Sequence, residues 1–493
     1  MNNKLVNLGL IFEKLAKKNK NQILIAFCDK EKYSYNYVNE LSNKYLNFFR
    51  KKNIYEGDII SLESTKNISV YAMVIACLKG GITYSFIDHS DNSKRKKLIL
   101  QKLKPKINFV FDEKNKIKDS YFLSKKKINL ISNKKILKNK IKNKSYVAYV
   151  MFTSGSTGFP KGVKISHKNL KYFINWTKIT FNINKKTIMT NINPLHFDNS
   201  VFDLYACIFN SSQLIPVNKN EIFDSKTLFS KLFNLKCNLW FSVPSLLNIL
   251  INLNTPKIFK TNNFKTLIFG GERFPIESVR KIFKYIPKCK IFNVSGPTEC
   301  TCMCSAHEVS KNELFSSNDI FIGKINKYFK YKISKVKKND SIGELLLEGP
   351  AVSSGYINDK QISKKSFYMH KNVLGYKTGD LVIENKKKLL KIIGRVDNQI
   401  KFMGHRIELE EIEKKINLVF NLSDCLILIK KQKQYPYSKL VLLTDSKLLN
   451  YELIVKKLTS YLPNYMIPSE VRLIKSFHYN KNNKIDRNKN KNF

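Results

Sequence analysis

Apolar residues follow two rhythms along this chain. In Asn36–Lys51 they recur three and four positions apart, which predicts an amphipathic helix. In Asp58–Glu63 and Asn108–Phe111 they gather into short β-prone runs, which predict strands. Helical and strand-like patterns alternate through residues 1–145, except in Lys114–Lys144, a Lys- and Asn-rich stretch without period that reads as a surface excursion. Tyr146–Phe152 is apolar and β-prone and predicts a buried strand. The alternation resumes from 146 to 300, with strands over Leu239–Val243 and Thr266–Phe269 and helices over Ser245–Asn252 and Ile276–Tyr285. From 320 to 395, short strands broken by Gly and Asn turns predict a small β region. Leu409–Val419 then reads as a helix, and Asp424–Ile429 and Lys439–Thr444 as strands. The Asn/Lys-rich residues from Asn488 onward are expected to fray. No internal repeat is visible. Such alternation predicts an α/β fold with parallel-type sheets flanked by helices.

Length and composition refine this. At 493 residues the chain exceeds a single typical core, so two or more domains are expected. No apolar run reaches the length of a membrane span, which argues against membrane insertion. The N-terminal apolar patch is followed at once by Glu13 and has no signal-peptide pattern, so a cytoplasmic location is expected. The formal charge of +50 invites a nucleic-acid reading. The 88 basic residues include only eight arginines, however, and the lysines are scattered. Readers of base edges favour arginine. No dedicated nucleic-acid function is expected, only salt-sensitive adhesion to polyanions. Nine cysteines in a long chain argue for reduced thiols. Cys300, Cys302 and Cys304 alternate and read as three small buried side chains on a strand.

Candidate chemistry begins at Thr153-Ser-Gly-Ser-Thr-Gly-Phe-Pro-Lys-Gly162. Glycines let the backbone approach a ligand closely, and successive N–H groups favour anions. The hydroxyls of Thr153, Ser154, Ser156 and Thr157 can donate to phosphate oxygens, and Lys161 adds a point charge. Taken alone, the stretch has a solvent-exposed Gly/Ser turn as its lesser alternative. It is not a Walker A loop: Pro160 precedes the lysine where glycine is required, and Gly162 follows where Ser or Thr should.

Further motifs occur in a fixed order: Leu78-Lys-Gly-Gly81 with Phe86-Ile-Asp88, Phe197-Asp-Asn-Ser200, Gly296-Pro-Thr-Glu299, and Gly343-Glu-Leu with Gly355-Tyr356. Tyr376-Lys-Thr-Gly-Asp380, Gly394–Lys401 with Gly404-His-Arg-Ile-Glu408, and Asn483-Lys-Ile-Asp-Arg487 complete the set. With the loop, they resemble the adenylate-forming superfamily of acyl-CoA synthetases, luciferases and nonribosomal peptide synthetase adenylation domains. The resemblance covers nearly the whole chain and is strongest to stand-alone amino-acid-activating members, the D-alanine–carrier protein ligases among them.

The resemblance implies an adenylation core over 1–396 and a small, mobile α+β lid over 397–493, with the hinge at Asp397. It implies activation of an amino acid by ATP and magnesium (Mg2+), with release of pyrophosphate. The aminoacyl group then passes to the phosphopantetheine arm of a carrier protein, expected to be separate because the chain stops after the Lys484 motif; the enzyme is expected to be a monomer. On this reading Thr153, Ser154, Gly155, Ser156, Thr157, Gly158 and Lys161 hold the β- and γ-phosphates, and Thr298 reaches the α-phosphate. Glu299 binds Mg2+, and Asp380, backed by Arg395, receives the ribose hydroxyls. Lys484 stabilises charge in the first half-reaction, with Thr153 and Lys161 assisting. Gly404 and Arg406 face the incoming thiol arm.

Asp198 matches the aspartate that pairs with the substrate's α-ammonium, the alternative being a helix-capping Asp. Asn199, Phe202, Ser245, Ile268, Gly270, Val294, Cys302 and Met303 align with the rest of the pocket. D-Alanine ligases tend to carry cysteine where Gly270 stands, which leaves a larger substrate open. Ser295 replaces the tyrosine that usually stacks on adenine, a loss of about 1 kcal/mol. Asn483 replaces a glycine, in a turn that Asn tolerates. Two other readings remain open: an acyl- or aryl-CoA ligase of the same superfamily, and an inactive family member acting as a scaffold.

Overall fold

Short apolar runs become strands wherever a neighbouring run can complete their hydrogen bonds, and here they assemble into three sheets and a smaller α+β unit. The structure is a computed structural model that describes residues 6–88, 93–115, 120–123, 146–155, 159–252, 263–316, 320–335, 341–431, 438–447, 449–480, 485–487 and 489–492. Its packing divides the chain into two units. The first takes the described residues of 1–88, 102–152 and 162–396; the second takes those of 89–101, 153–161 and 397–493.

In the first unit, a nine-stranded sheet runs in the order 324–325, 305–308, 290–295, 266–270, 239–242, 188–191, 213–216, 23–28, 31–34. Its six central strands are parallel and its edges antiparallel. A six-stranded sheet has the order 120–122, 107–110, 59–63, 83–87, 147–153, 161–166. The third sheet is antiparallel and formed by 330–335, 343–348, 367–370, 373–384 and 390–395, the small β region expected from the turn-rich stretch. Strand Ser120–Phe122 extends the six-stranded sheet. Part of the expected surface excursion is therefore ordered sheet; its residues 116–119 and 124–144 lie outside the described residues.

The Leu78-Lys-Gly-Gly81 motif proves to be a helix ending. Asn67 caps helix Ile68–Gly80, and Gly81 closes it at φ 65°, donating to the Cys77 carbonyl. Lys79 is buried and donates to the side chains of Asn39, Ser42 and Asn43 at 2.6–2.8 Å. Burial pushes its pKa down to about 7.

The second unit holds a hairpin, Gln399–Phe402 with His405–Glu408, turned by Met403 and Gly404 at positive φ. Helix Leu409–Phe420 follows and ends at left-handed Asn421. A three-stranded sheet of Leu426–Lys431, Ser438–Thr444 and Glu470–Leu473 completes it with helix Tyr451–Leu458. Ile407, Ile412, Ile416, Ile427, Leu442 and Met466 centre its core. Of the end expected to fray, residues 489–492 are described, and there the Asn490 side chain is buried and donates to the His478 carbonyl while accepting its N–H. This pairing was invisible in a Lys/Asn-rich composition.

Candidate functional site

Strand Val147–Thr153 delivers the glycine-rich loop. Its Ala148, Tyr149, Val150 and Met151 are buried, so the strand is a fixed base. Gly155 lies against the turn: a Cβ there would stand 2.0 Å from the Phe159 carbonyl oxygen, so only glycine fits. Thr153 Oγ1 is buried without a hydrogen-bond partner among the described residues, a donor that an anion's oxygen would satisfy. Within the second unit, Lys161 Nζ is 3.3 Å from Glu408 Oε1 and Gly155 N–H donates to Glu411 Oε2 at 3.1 Å. Ser154 Oγ donates to the Arg406 carbonyl at 2.6 Å. The loop therefore offers anion-seeking groups, and acceptors already take them. Ser156, Thr157 and Gly158 lie outside the described residues.

In the first unit, Gly296-Pro-Thr-Glu299 follows strand Lys290–Ser295. Gly296 is required because a Cβ would sit 2.5 Å from Met303 Cα. The chain folds back through a single turn at Thr298–Cys300 and then left-handed Thr301 (φ 62°) and Cys302 (φ 73°). A β-branched residue at positive φ is uncommon, and such strain gathers at functional sites. This corrects the strand expected for the three cysteines. Cys300, Cys302 and Cys304 are buried free thiols, but they line a fold-back, and the strand begins at Ser305. Burial, and then Asp198, push the Cys302 pKa well up.

Glu299 is buried to 1% exposure, and its Oε1 accepts the Tyr356 hydroxyl at 2.8 Å. One buried carboxylate in this setting suits Mg2+, which takes one or two carboxylates and completes its shell with phosphate and water. Groups of three or more His, Cys, Asp or Glu placed to hold a metal are absent among the described residues.

Asp198 begins the short helix Asn199–Val201 but makes no capping bond; its Oδ2 accepts the Thr298 hydroxyl at 2.5 Å. A π-turn over Phe202–Ala206 follows. Phe202 is fully buried, its ring edge-on to Phe181 and Phe241. Gly270 and Val294 are register partners on adjacent strands, and a Cβ at Gly270 would fall 2.3 Å from the Val294 carbonyl. Strand packing therefore favours glycine at position 270. Ser245, at the start of helix Pro244–Asn252, donates its N–H to Glu272 at 2.7 Å. His196, beside this motif, bonds Ser64 Oγ at 2.9 Å and faces Asp88 at 3.5 Å, bringing Phe86-Ile-Asp88 to Phe197-Asp198.

Asp380 and Arg395 stand opposite each other in the antiparallel register, and the guanidinium donates to the carboxylate. Lys484 lies outside the described residues. The sequence reading gave no role to Glu411, Arg95 or the Tyr356 hydroxyl. Glu408 and Glu411 carried a faint signal, three apart at a helix start; Arg95 carried none.

Comparison with known proteins now places the chain. The family described as AMP-binding enzyme matches residues 12–357. The D-alanine–D-alanyl carrier protein ligase of Bacillus cytotoxicus is 34% identical over 352 residues, covering 69% of each chain. That of Bacillus anthracis is likewise 34% identical over 69% of this chain and 70% of its own. Among solved structures, an artificially fused adenylation–PCP di-domain from Klebsiella oxytoca superposes with TM-score 0.84 at 18% identity, over 96% of this chain and 94% of that one. The Vibrio cholerae adenylation domain AlmE, in complex with glycyl-adenosine-5'-phosphate, gives TM-score 0.81 at 18% identity over 98% of both. The chain belongs to the AMP-binding enzyme family and is an AMP-forming ligase.

Proposed function

We propose that this ligase activates an amino acid as its aminoacyl-AMP and then passes the aminoacyl group to the phosphopantetheine thiol of a separate carrier protein. One observation carries the reading: the Asp198 carboxylate is held by the Thr298 hydroxyl instead of capping a helix. A substrate ammonium beside this partly buried carboxylate would add a charge-assisted hydrogen bond. The carrier-protein step is supported by the names of the Bacillus relatives.

In this scheme the α-phosphorus lies in line with the substrate carboxylate, and charge on the phosphoryl oxygens must be met by fixed donors. Thr153, Ser154, Gly155 and Lys161 serve the outer phosphates, and Thr298 the α-phosphate. The orphaned Thr153 hydroxyl fits that use. Glu299, fixed by Tyr356, would hold Mg2+, which supplies charge neutralisation to the departing pyrophosphate. Asp380, held by Arg395, accepts the ribose hydroxyls. Residues 397–493 act as the lid, and Lys484 brings an ammonium to the reacting carboxylate; loss of such a group costs on the order of 10²–10³ in rate.

The test is a pyrophosphate-exchange panel over D- and L-amino acids and their des-amino counterparts. Exchange confined to amine-bearing acids is expected. Equal or faster exchange with a des-amino acid would overturn the reading in favour of an acyl- or aryl-CoA ligase.

A further inference from the structure

In the second unit, oxygens from residues 406–411 take up the donors of the glycine-rich loop. Glu408 closes the hairpin and Glu411 stands in the first turn of helix Leu409–Phe420. Both are buried to 2% exposure. Buried carboxylates are costly unless paired and hydrogen-bonded. Glu408 Oε1 meets Lys161 Nζ at 3.3 Å and accepts the Gln399 amide at 2.7 Å. Glu411 meets buried Arg95 at 3.3 Å and accepts the Gly155 N–H at 3.1 Å. The Arg406 carbonyl accepts from the Ser154 hydroxyl. Arg95 is itself anchored in this unit, where its neighbour Lys94 lies 3.5 Å over the Tyr461 ring.

An ammonium, a backbone N–H and a hydroxyl of the loop are thus each matched by an oxygen from residues 406–411. These are the groups a polyphosphate would use. The two occupants exclude each other, because a phosphate chain on these donors would face two buried carboxylates of its own sign.

We propose that Glu408 and Glu411 are positioning residues that take over the phosphate loop's donors as pyrophosphate departs, weakening its hold and its return. The inference rests on the loop being the phosphate cradle, as in the proposed function. No bond is made or broken; one set of anionic oxygens replaces another.

The experiment titrates magnesium pyrophosphate, and separately MgATP, into the full chain by calorimetry. It compares the wild type with Glu408→Gln, Glu411→Gln and Lys161→Ala. Glu408→Gln and Glu411→Gln are expected to bind pyrophosphate about 10-fold more tightly, since each removes a competing charge without emptying its space. Lys161→Ala should bind it at least about 10-fold more weakly. Glu411→Gln removes a buried carboxylate charge that faces Arg95; if that variant fails to fold, Glu408→Gln decides alone. Weaker binding by Lys161→Ala together with unchanged or weaker binding by the glutamine variants would overturn the takeover while leaving the cradle standing. Unchanged binding by Lys161→Ala would overturn both.

Discussion

Asp198 stands where an aspartate ordinarily accepts from the backbone N–H groups of a helix's first turn, yet its partner is a hydroxyl 100 positions along the chain. On the proposed reading, a substrate ammonium adds a charge-assisted hydrogen bond to this carboxylate. Removing one partner of a desolvated charge pair costs about 2–5 kcal/mol. Asp198→Ala should therefore lower kcat/KM for the amino acid about 10²-fold or more, while the Kd for ATP moves less than about 2-fold. Amino-acid-dependent pyrophosphate exchange and a nucleotide titration read the two quantities separately; unchanged amino-acid kinetics would remove the amine-anchor assignment. At this scale the sequence was legible where a residue type is forced by its neighbours: Gly155 and Gly296 leave no room for a Cβ. It was opaque where the partner is distant. Nothing within 57 positions of Glu299 signals that the Tyr356 hydroxyl will hold it.

Elements meet through single buried contacts as well as through apolar faces. Helix Leu8–Lys18 begins with its Leu8 N–H donating to His167 Nδ1 at 3.0 Å, and His167 opens helix His167–Thr180. The ring is buried, and burial lowers its pKa from 6.5 to about 4. The unfolded chain takes up this proton near 6.5 and the native chain only near 4, so the native state loses stability as pH falls through that window. The loss approaches about 3 kcal/mol once both values are passed. In His167→Asn, the amide oxygen can accept the Leu8 N–H but nothing titrates. The urea midpoint of the variant should fall less steeply than that of the wild type between pH 6.5 and pH 4. Parallel curves would show that His167 is protonated in the native state. Element types were largely legible: Ile276–Tyr285 is found as read, and most other boundaries move by one or two residues. The cysteine fold-back was misread because alternating small apolar residues imitate a strand's period. The deciding fact is tertiary, the approach of Gly296 to Met303 that turns the chain through left-handed Thr301 and Cys302.

Across the whole molecule, 88 basic residues face 38 acidic ones. Several of the few carboxylates are committed to partly or fully buried partners: Asp380 to Arg395, Glu408 to Lys161, Glu411 to Arg95 and Glu413 to Arg487. Even with every carboxylate paired the net charge stays at +50, so the chain carries a broad positive field that falls off over about 8–10 Å at physiological salt. The sequence could reveal this excess but not where the carboxylates go. Adhesion to polyanions and ligase turnover should respond differently to salt. A field of scattered lysines binds by counterion release, so retention on heparin should be lost above about 0.3 M salt, with a steep logarithmic slope. Turnover relies on buried pairs, which salt screens far less, and should change less than about 2-fold over the same range. Retention persisting near 1 M salt, or a binding preference for one nucleotide sequence, would instead require a built nucleic-acid surface. Base-reading contacts would then have to come from the arginines, and of these Arg95, Arg395 and Arg487 already have carboxylate partners.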